Sequence, residues 1–178
     1  MKAIFLDRDG VINRKAPEGR YITSWLEVVF LPGVFDAVAA LQRAGFLIMI
    51  ATNQRGVATG KIRRLDLDQI HDRMRLEFSK NGINIADIYC CTHGLEARCV
   101  CRKPKPGMLV QAKREYNLEL ADSWIVGDSQ SDIEAGIAAG CKTARICCQD
   151  HAGEAAIRAD IEVIDLRAAA ERILEGKS

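Results

Sequence analysis

The sequence predicts an α/β fold, a Rossmann-like three-layer α/β/α sandwich with a mainly parallel sheet. Short apolar runs typical of buried strands alternate with longer segments that carry apolar residues at helical spacing. Such alternation is typical of a parallel sheet with helices on both faces. The chain has 178 residues and is 48% hydrophobic, which suits one domain with a sizeable core. We therefore expect residues 1–178 to form a single domain.

The first half of the chain supplies three strands and two helices. Residues 3–6 are an apolar run, and helix 33–44 ends at Gly45 after placing three apolar residues on one face, namely Val34, Val38 and Leu41. Strand 46–51 follows. Helix 66–80 carries four apolar residues at helical spacing, namely Leu67, Ile70, Met74 and Phe78. A turn at Asn81-Gly82 then leads to strand 85–90.

The second half continues the alternation. Pro106 opens helix 106–116, since proline suits the first turn of a helix. Strand 123–126, helix 131–139 and strand 142–147 follow, and Gly140 stops the helix between the two strands. A short strand at 162–164 and a helix from residue 167 complete the series. We expect the cysteines of this half, Cys141, Cys147 and Cys148, to be small buried residues.

Two carboxylates, Asp7 and Asp9, follow the first strand where it enters a glycine turn. One carboxylate of such a pair can act as nucleophile on phosphorus, and the other can protonate the departing alcohol and later accept a proton from water. The pair therefore favours phosphoryl transfer. A short pattern of this kind also arises by chance in solvated loops, so the interpretation depends on the motifs that follow it.

Three further polar motifs follow apolar runs. Thr52 comes directly after strand 46–51, Lys103 lies in Arg102-Lys103-Pro104, and Asp128 follows strand 123–126. Because the carboxyl ends of parallel strands meet at one edge of a sheet, we expect these side chains to converge on Asp7 and Asp9.

Four motifs together resemble the haloacid dehalogenase (HAD)-like phosphatases, over about residues 3–147. They are Asp-Arg-Asp-Gly, Thr-Asn-Gln, Cys-x-His…Cys-x-Cys-Arg-Lys-Pro and Gly-Asp-x-x-x-Asp. The chain is similar to the capless, zinc-containing group, which contains the D-glycero-D-manno-heptose-1,7-bisphosphate 7-phosphatases and the histidinol-phosphatases. The resemblance implies a HAD fold without a cap domain. Residues 10–32 are too few to fold alone, and residues 54–102 hold a helix, a strand and the loop with the Cys-x-His…Cys-x-Cys motif.

The resemblance also implies the roles of the carboxylates. Asp7 would be the nucleophile that forms an aspartyl-phosphate, and Asp9 the general acid and then base, with its proton favoured by the carboxylates crowded around it. Thr52 and Lys103 would bind phosphoryl oxygens where charge develops. Mg²⁺ would be held by oxygen ligands, namely Asp7, the backbone carbonyl of Asp9 and Asp128. Asp132 is either an outer member of this site or an acid that stabilises the start of its helix.

A Cys/His set occupies the loop at about residues 90–103. Cys91, His93, Cys99 and Cys101 supply three thiolates and one imidazole, the ligands of a closed structural Zn²⁺ site. Chance clustering in a cysteine-rich chain is the alternative. Cys90 adjoins the set, and we expect its side chain to point into the core at the end of a strand.

The substrate prediction depends on the resemblance. Lys103-Pro104-Lys105-Pro106-Gly107-Met108 and Gly60-Lys61 are similar to the heptose enzymes, which implies removal of the 7-phosphate of a heptose bisphosphate in heptose nucleotide or lipopolysaccharide-type biosynthesis. By analogy the substrate contacts are Asn13, Tyr21, Asn53, Gln54, Arg55 and Arg102. Arg55, Lys61 and Arg102 could hold the second phosphate.

Some residues favour a histidinol-phosphate substrate instead. The interval between His93 and Cys99 is short, as in the histidinol-phosphatases, and Ser129 stands where the heptose enzymes commonly carry a lysine. A histidinol amine would require nearby carboxylates, for which Glu18 and Glu96 are candidates. Histidinol-phosphate phosphatase therefore remains the alternative.

Other functional classes agree less well with the composition. A non-catalytic zinc-bearing binding module would have lost a catalytic group, yet all are present. A nucleic acid 3′-phosphatase would favour a basic groove and stacking aromatics, whereas this chain has a net charge of +1 and 6% aromatic residues. We expect no nucleic-acid or membrane partner, since no apolar stretch reaches the ~18 residues of a membrane span. A cytoplasmic monomer acting on a small phosphorylated sugar is the prediction.

Overall fold

The protein is described by a computed structural model that covers residues 1–147 and 157–176. Within these residues six parallel strands form one sheet: β1 (Ala3–Leu6), β2 (Leu47–Asn53), β3 (Ile85–Cys91), β4 (Trp124–Gly127), β5 (Lys142–Ile146) and β6 (Ile161–Val163). Five α-helices accompany them in the same residues: α1 (Val34–Arg43), α2 (Arg64–Lys80), α3 (Gly107–Tyr116), α4 (Gln130–Ala139) and α5 (Leu166–Glu175). The predicted α/β fold is confirmed.

The strand order is β3-β2-β1-β4-β5-β6, so β1 lies between β2 and β4. The chain runs outward from β1 through β2 to β3, then returns to pair β4 with the other side of β1. Where two neighbouring strands are followed by connections that cross to opposite faces of the sheet, a crevice opens at the carboxyl ends of those strands. The strand order therefore places that crevice between the loops that follow β1 and β4.

The core has two main parts, one on each face of the sheet. On β1, Ile4 and Leu6 pack in the cluster that contains α1 and α5 residues, whereas Ala3 and Phe5 pack with α3 residues. Successive strand residues point to opposite faces, so all four residues of β1 are buried. This double burial fixes the strand end from which Asp7 and Asp9 project.

Several element boundaries differ from the predicted ones by one or two residues. Strand β2 continues past its apolar run because Thr52 and Asn53 pair with Cys90 and Cys91 of β3. Helix α5 begins at Leu166, where the Asp165 side chain accepts a hydrogen bond from the Ala168 amide.

The cysteines outside the Cys/His set occupy different settings. Cys90 is half-buried and packs against the cluster of Ile22, Ile62, Leu67 and Ile70. Cys141 is buried, as expected. Cys147 follows β5 rather than ending it, and Cys148 lies outside the described residues.

The segments that precede and follow β2 contain few elements besides the helices that cover the sheet. Residues 7–33, between β1 and α1, contain a single 3-10 helix, Trp25–Glu27, and the described stretch between β2 and β3 holds α2. None of the helices in the described part of the chain combines the length and apolar character needed to cross a membrane.

Candidate active site and metal centres

The Lys103 side chain contacts residues at or near the carboxyl ends of three central strands, β1, β2 and β4. Its ammonium lies 2.8 Å from Asp7 Oδ1 and 2.5 Å from Asp132 Oδ1. It also donates to the Ala51 carbonyl at 2.6 Å. The Lys103 side chain is only 2% exposed, so a buried cation joins the loops after β1 and β4 to the end of β2.

The charges around Lys103 shift its own pKa and that of Asp7. Burial raises the pKa of Asp7 to about 7; Lys103 opposes the rise, and the Asp132 and Asp128 carboxylates add to it. Burial would lower the pKa of Lys103, but the two carboxylates beside it, Asp7 and Asp132, raise it well above its usual range. Lys103 is therefore a permanent cation in this crevice.

Asp9 accepts four hydrogen bonds. Asn13 Nδ2 and Arg8 Nε donate to Oδ1 at 2.9 and 3.2 Å, and Gln54 Nε2 and Arg8 Nη2 each donate to Oδ2 at 2.9 Å. Burial alone would raise the pKa of Asp9, but Arg8 and the amide donors outweigh it, so this pKa lies below its usual value. The raised pKa expected for Asp9 thus falls on Asp7, because Arg8 and two amides stabilise the Asp9 carboxylate, whereas Asp7 is buried beside Asp132 and Asp128.

The side chains of three predicted substrate contacts form hydrogen bonds to other predicted site residues. Asn13 is fully buried and binds Asp9. Gln54 binds Asp9 and also donates to Thr52 Oγ1 at 2.9 Å. Asn53 makes a reciprocal pair with the Lys103 backbone, donating to its carbonyl at 3.0 Å and accepting from its amide at 3.1 Å. These amides hold Asp9, Thr52 and the Lys103 backbone in place.

Asp128 approaches the loop after β1. The Lys15 ammonium lies 2.5 Å from Asp128 Oδ2, and Gly10, at φ 95°, has no side chain to block that approach. A Cβ at residue 10 would collide with the Asp128 carboxylate and with Lys15. The Asp-x-Asp-Gly motif therefore needs its glycine both for the left-handed backbone and for the close approach of Asp128.

Asp132 combines a helix-capping and a charge-pairing role. Its Oδ2 accepts from the Ser129 amide at 3.0 Å and from the Ser129 hydroxyl at 2.6 Å, which closes a capping box at the start of α4. Its Oδ1 pairs with Lys103. Of the two roles considered from the sequence, the helix-capping one is seen directly.

The carboxylates suit a hard cation. Asp7, Asp128 and Asp132 each offer an oxygen, and these oxygens lie within 4.8 Å of one another. Asp128 Oδ1 is buried and has no hydrogen-bond partner among the residues that the structure describes. An unpartnered buried oxygen beside two other carboxylates is the setting that a divalent cation would stabilise.

The Cys/His set is a second, separate group of ligands. Cys91 Sγ lies 3.6 Å from His93 Nδ1 and 3.7 Å from Cys99 Sγ, and His93 Nδ1 lies 3.2 Å from Cys101 Sγ. Four ligands about 2.3 Å from a central zinc would lie ~3.8 Å apart in a tetrahedron, whereas bonded disulfide sulfurs are about 2.05 Å apart. The distances are compatible with zinc.

The Cys/His loop is fastened to the start of α3 through its own backbone carbonyls. Lys105 Nζ donates to the carbonyls of Arg98 and Cys99 at 3.1 and 2.8 Å, and the Gly107 amide donates to Val100 at 3.1 Å. A Cβ at residue 107 would collide with the Val100 carbonyl. The loop and the start of α3 thus form one unit that carries Lys103.

An open cavity of about 220 Å³ adjoins the catalytic groups. Its lining comprises Asp9, Lys15, Ala16, Arg20, Tyr21, Ile22, Asn53 and Gln54. At its rim, Arg55 Nε and Nη2 each lie 3.4 Å from the Tyr21 hydroxyl. Hydrogen bonding from Arg55 lowers the pKa of Tyr21, and Arg102 contributes further.

Arg102 and Lys61 complete the cations considered from the sequence. Arg102 Nη1 is buried without a hydrogen-bond partner among the described residues, whereas Lys61 is exposed. Arg55 contacts the Tyr21 hydroxyl, and the Arg102 charge also lowers the pKa of Tyr21. Lys15 and Arg20, by contrast, are the cations in the lining of the cavity.

Sequence reasoning missed Arg8, His71 and Lys15. Arg8 is 1% exposed and lies between two aspartates, a position that itself indicates a paired cation. His71 shares the apolar face of α2 with Leu67 and Ile70, and it gave no signal of its own. Lys15 lies between Asn13 and Tyr21, two predicted substrate contacts, but nothing in the pattern connected it to Asp128.

The fold and site define a HAD-like hydrolase. A family model described as HAD-hydrolase-like matches residues 100–166. Among solved structures, the D,D-heptose 1,7-bisphosphate phosphatase from B. bronchiseptica, complexed with magnesium and phosphate, superposes with a TM-score of 0.89 at 35% identity, covering 99% of each chain.

Curated relatives agree with this class. A D-glycero-beta-D-manno-heptose-1,7-bisphosphate 7-phosphatase from Pseudomonas putida is 42% identical over 142 residues, covering 80% of each chain. The alpha-anomer enzyme from Campylobacter jejuni has the same identity and coverage. The chain belongs to the HAD-like phosphatase family that contains these heptose bisphosphate phosphatases, and it is a phosphoric monoester hydrolase. The predicted family and enzyme class are confirmed, and the relatives favour the heptose enzymes over histidinol-phosphate phosphatase.

Proposed function

We propose that this chain removes the 7-phosphate of D-glycero-D-manno-heptose 1,7-bisphosphate through an aspartyl-phosphate on Asp7. The observation that carries the proposal is the convergence of Asp7, Asp9, Thr52 and Lys103 beside a pocket at the carboxyl edge of the sheet. This arrangement matches what a phosphoryl transfer requires: a nucleophile, an acid/base and fixed positive charge.

In the first step an Asp7 oxygen attacks phosphorus, and the bond from phosphorus to the sugar oxygen breaks. The departing oxygen takes a proton from Asp9, which lines the pocket. In the free protein Arg8 and the amide donors hold the pKa of Asp9 below its usual value, and the negative charge of the bound substrate would raise that pKa so that Asp9 carries this proton. Lys103, held by Asp132 on its other side, stabilises charge on the phosphoryl oxygens. Gln54 donates to the Thr52 oxygen, which leaves the Thr52 hydroxyl proton to face a phosphoryl oxygen.

In the second step water attacks the phosphorus of the aspartyl-phosphate and gives its proton to the Asp9 carboxylate. The bond from phosphorus to Asp7 breaks, inorganic phosphate leaves, and both carboxylates return to their starting states. Splitting the displacement in this way allows one residue, Asp9, to serve as acid and then as base.

The magnesium ligands we propose are Asp7, the backbone carbonyl of Asp9 and Asp128, with Asp132 outside them. The unpartnered Asp128 Oδ1 and the raised pKa of Asp7 support this assignment. Bound Mg²⁺ would supply positive charge that keeps Asp7 ionised and neutralises the phosphoryl group. Lys15 pairs with Asp128 Oδ2, so Lys15 and the ion would bind the same carboxylate.

The zinc ligands we propose are Cys91, His93, Cys99 and Cys101, and the ion is structural. Four protein ligands leave no open position for water. The ion would stiffen a loop that leads directly into Arg102 and Lys103, so its effect on chemistry would come through the position of these two cations.

The second phosphate of the substrate would bind at the rim formed by Arg55, Arg102 and Tyr21. The buried, unpartnered Arg102 Nη1 supports an anion there, since a buried guanidinium hydrogen requires an acceptor. The carboxylates that a histidinol amine would require, Glu18 and Glu96, are both exposed. A bisphosphate fits this rim better than an amine.

The remaining proposals concern the whole chain. We propose one capless domain over residues 1–178, working as a cytoplasmic monomer without a nucleic-acid or membrane partner. The central sheet and the net charge of +1 support these assignments.

The test is magnesium-dependent phosphate release by the purified protein. Both anomers of heptose 1,7-bisphosphate, fructose 1,6-bisphosphate and histidinol phosphate would be compared by kcat/KM. We expect a heptose preference of several orders of magnitude. A preference for histidinol phosphate would overturn the substrate and leave the chemistry standing.

A further inference from the structure

Arg8 is the largest fully buried side chain among the described residues, at 1% exposure. Removing a guanidinium from water costs several kcal/mol unless its hydrogens are well paired, and an apolar residue in such a place is often equally or more stable. Stability is therefore a weak reason for an arginine here, and its partners indicate what it does.

The first partner of Arg8 is Asp9. The planar fork donates through Nε to Asp9 Oδ1 at 3.2 Å and through Nη2 to Asp9 Oδ2 at 2.9 Å. A two-point contact fixes both the position and the plane of a carboxylate. The other side of Asp9 faces the pocket, and the side chain is 26% exposed.

The second partner is His71 on α2. Arg8 Nη1 lies 3.4 Å from His71 Nε2, and this contact is buried. Arginine can only donate, so Nε2 accepts and the ring proton lies on Nδ1. Burial, helped by the Arg8 charge, lowers the pKa of His71 to about 4, which keeps the ring neutral and able to accept at neutral pH.

We propose that Arg8 and His71 are positioning residues, through which helix α2 sets the orientation of the Asp9 carboxylate toward the leaving oxygen. The inference rests on the proposed acid/base role of Asp9. It adds a continuous path of side chains from α2, through His71 and Arg8, to the group that handles the proton. Neither residue lines the pocket itself.

Two polar variants distinguish positioning from packing. The amide of glutamine in His71→Gln reaches about as far as Nε2, so its oxygen can accept from Arg8, whereas the amide of asparagine in His71→Asn stops near Nδ1. Both variants place an amide in the same buried site. A difference between them therefore reports the Arg8 contact, and His71→Leu removes the acceptor altogether.

The measurements are kcat and KM on the heptose bisphosphate and on p-nitrophenyl phosphate, with urea unfolding of each variant. A sugar alkoxide needs a proton to leave and nitrophenolate does not. We expect His71→Asn and His71→Leu to lower kcat on the sugar roughly 10- to 100-fold with KM within about twofold. His71→Gln should stay within about threefold of the parent.

The aryl phosphate gives the second signature. Its first step does not need the acid, but hydrolysis of the aspartyl-phosphate still needs the base. We expect His71→Asn to release a burst of about one nitrophenol per active site and then turn over slowly. Arg8→Lys, which keeps the charge and loses the fork, should behave in the same way.

Two results would overturn the proposal. One is equal activity of His71→Gln and His71→Asn, whether both are low or both match the parent. The other is a loss of kcat that follows the unfolding midpoint, with no nitrophenol burst on the aryl phosphate, which would assign His71 to packing alone. If the parent cleaved p-nitrophenyl phosphate but not the heptose bisphosphate, the substrate proposal would fail. The positioning proposal could still be tested by comparing the nitrophenol burst of the His71 variants.

Discussion

The carboxylate centre and the Cys/His set are both groups of metal-compatible ligands, but they are built in opposite ways. The Cys/His ligands come from eleven residues, 91–101, and His93 is exposed. Asp7 follows β1, whereas Asp128 follows β4 and Asp132 lies in the first turn of α4, more than a hundred residues further along the chain. Lys103, from a third segment, is buried between Asp7 and Asp132. Local chain geometry assembles the first group, and the strand order of the sheet assembles the second.

The two regions meet at Lys103. The last Cys/His ligand, Cys101, lies two residues before Lys103 in the chain. Asn53 pairs with Cys91 across β2 and β3, and its side chain also binds the Lys103 backbone. A change in the loop should therefore reach the carboxylates through one cation. Variants in the carboxylate centre should report the chemistry, and variants in the Cys/His set should report the position of Lys103.

The largest effect is expected at the nucleophile. Asp7→Asn should lower kcat by about 10⁴-fold or more, because no oxyanion remains to attack phosphorus. Phosphate release and the unfolding midpoint would be measured together. The exposed Asp36 on α1 supplies the matched control, Asp36→Asn. Activity at the parent rate in Asp7→Asn would remove Asp7 from its role.

Lys103→Met comes next and should affect both activity and folding. Loss of the ammonium should lower kcat by about 10²- to 10³-fold. It also leaves Asp7 and Asp132 buried without their counter-charge, which should lower the free energy of unfolding by about 3 kcal/mol. Urea unfolding measures the second effect. Lys113→Met, at the exposed end of α3, should change neither quantity, and an equally stable Lys103→Met would contradict the buried ion-pair account.

Cys101→Ser tests how far the loop acts on the carboxylates. We expect one zinc per chain to be lost in metal analysis, a lower melting temperature and a roughly 10- to 100-fold fall in kcat/KM as Lys103 moves. Cys90→Ala is the control, because Cys90 packs away from the set. A zinc-free Cys101→Ser with full activity would show that the two regions are independent.

The smallest effect is expected at the rim. Arg55→Met should raise KM for a sugar bisphosphate about tenfold, equal to about 1.4 kcal/mol, with little change in kcat. KM for a monophosphate should stay unchanged, because such a substrate lacks the second anion. A parallel rise for both substrates would place Arg55 near the transferred phosphate instead.

Part of the site was predictable because its pattern is local. The spacing of Cys91, His93, Cys99 and Cys101 indicated a common loop, and the structure brings all four together. Asp7, Asp9, Thr52 and Lys103 were predicted to converge because parallel strands end at one edge, and they do. The class of enzyme followed from these motifs.

The partners of the amides were not predictable. Asn13, Asn53 and Gln54 were assigned to the substrate, yet their side chains bond to Asp9, Thr52 and the Lys103 backbone. An amide donates and accepts equally well to a ligand or to a neighbour. Which of these it meets depends on side-chain direction in the folded chain.

By itself the sequence determined the order of strands and helices, the residue types of both ligand groups and the kind of chemistry they can perform, because hydrophobic period and ligand spacing are properties of the chain. The tertiary structure decided which charges meet. It placed Lys103 between Asp7 and Asp132, Lys15 on Asp128 and Arg8 between Asp9 and His71. Apart from the contact of Arg8 with its neighbour Asp9, these contacts join residues distant along the chain, and burial gives them their strength, so neither composition nor spacing records them.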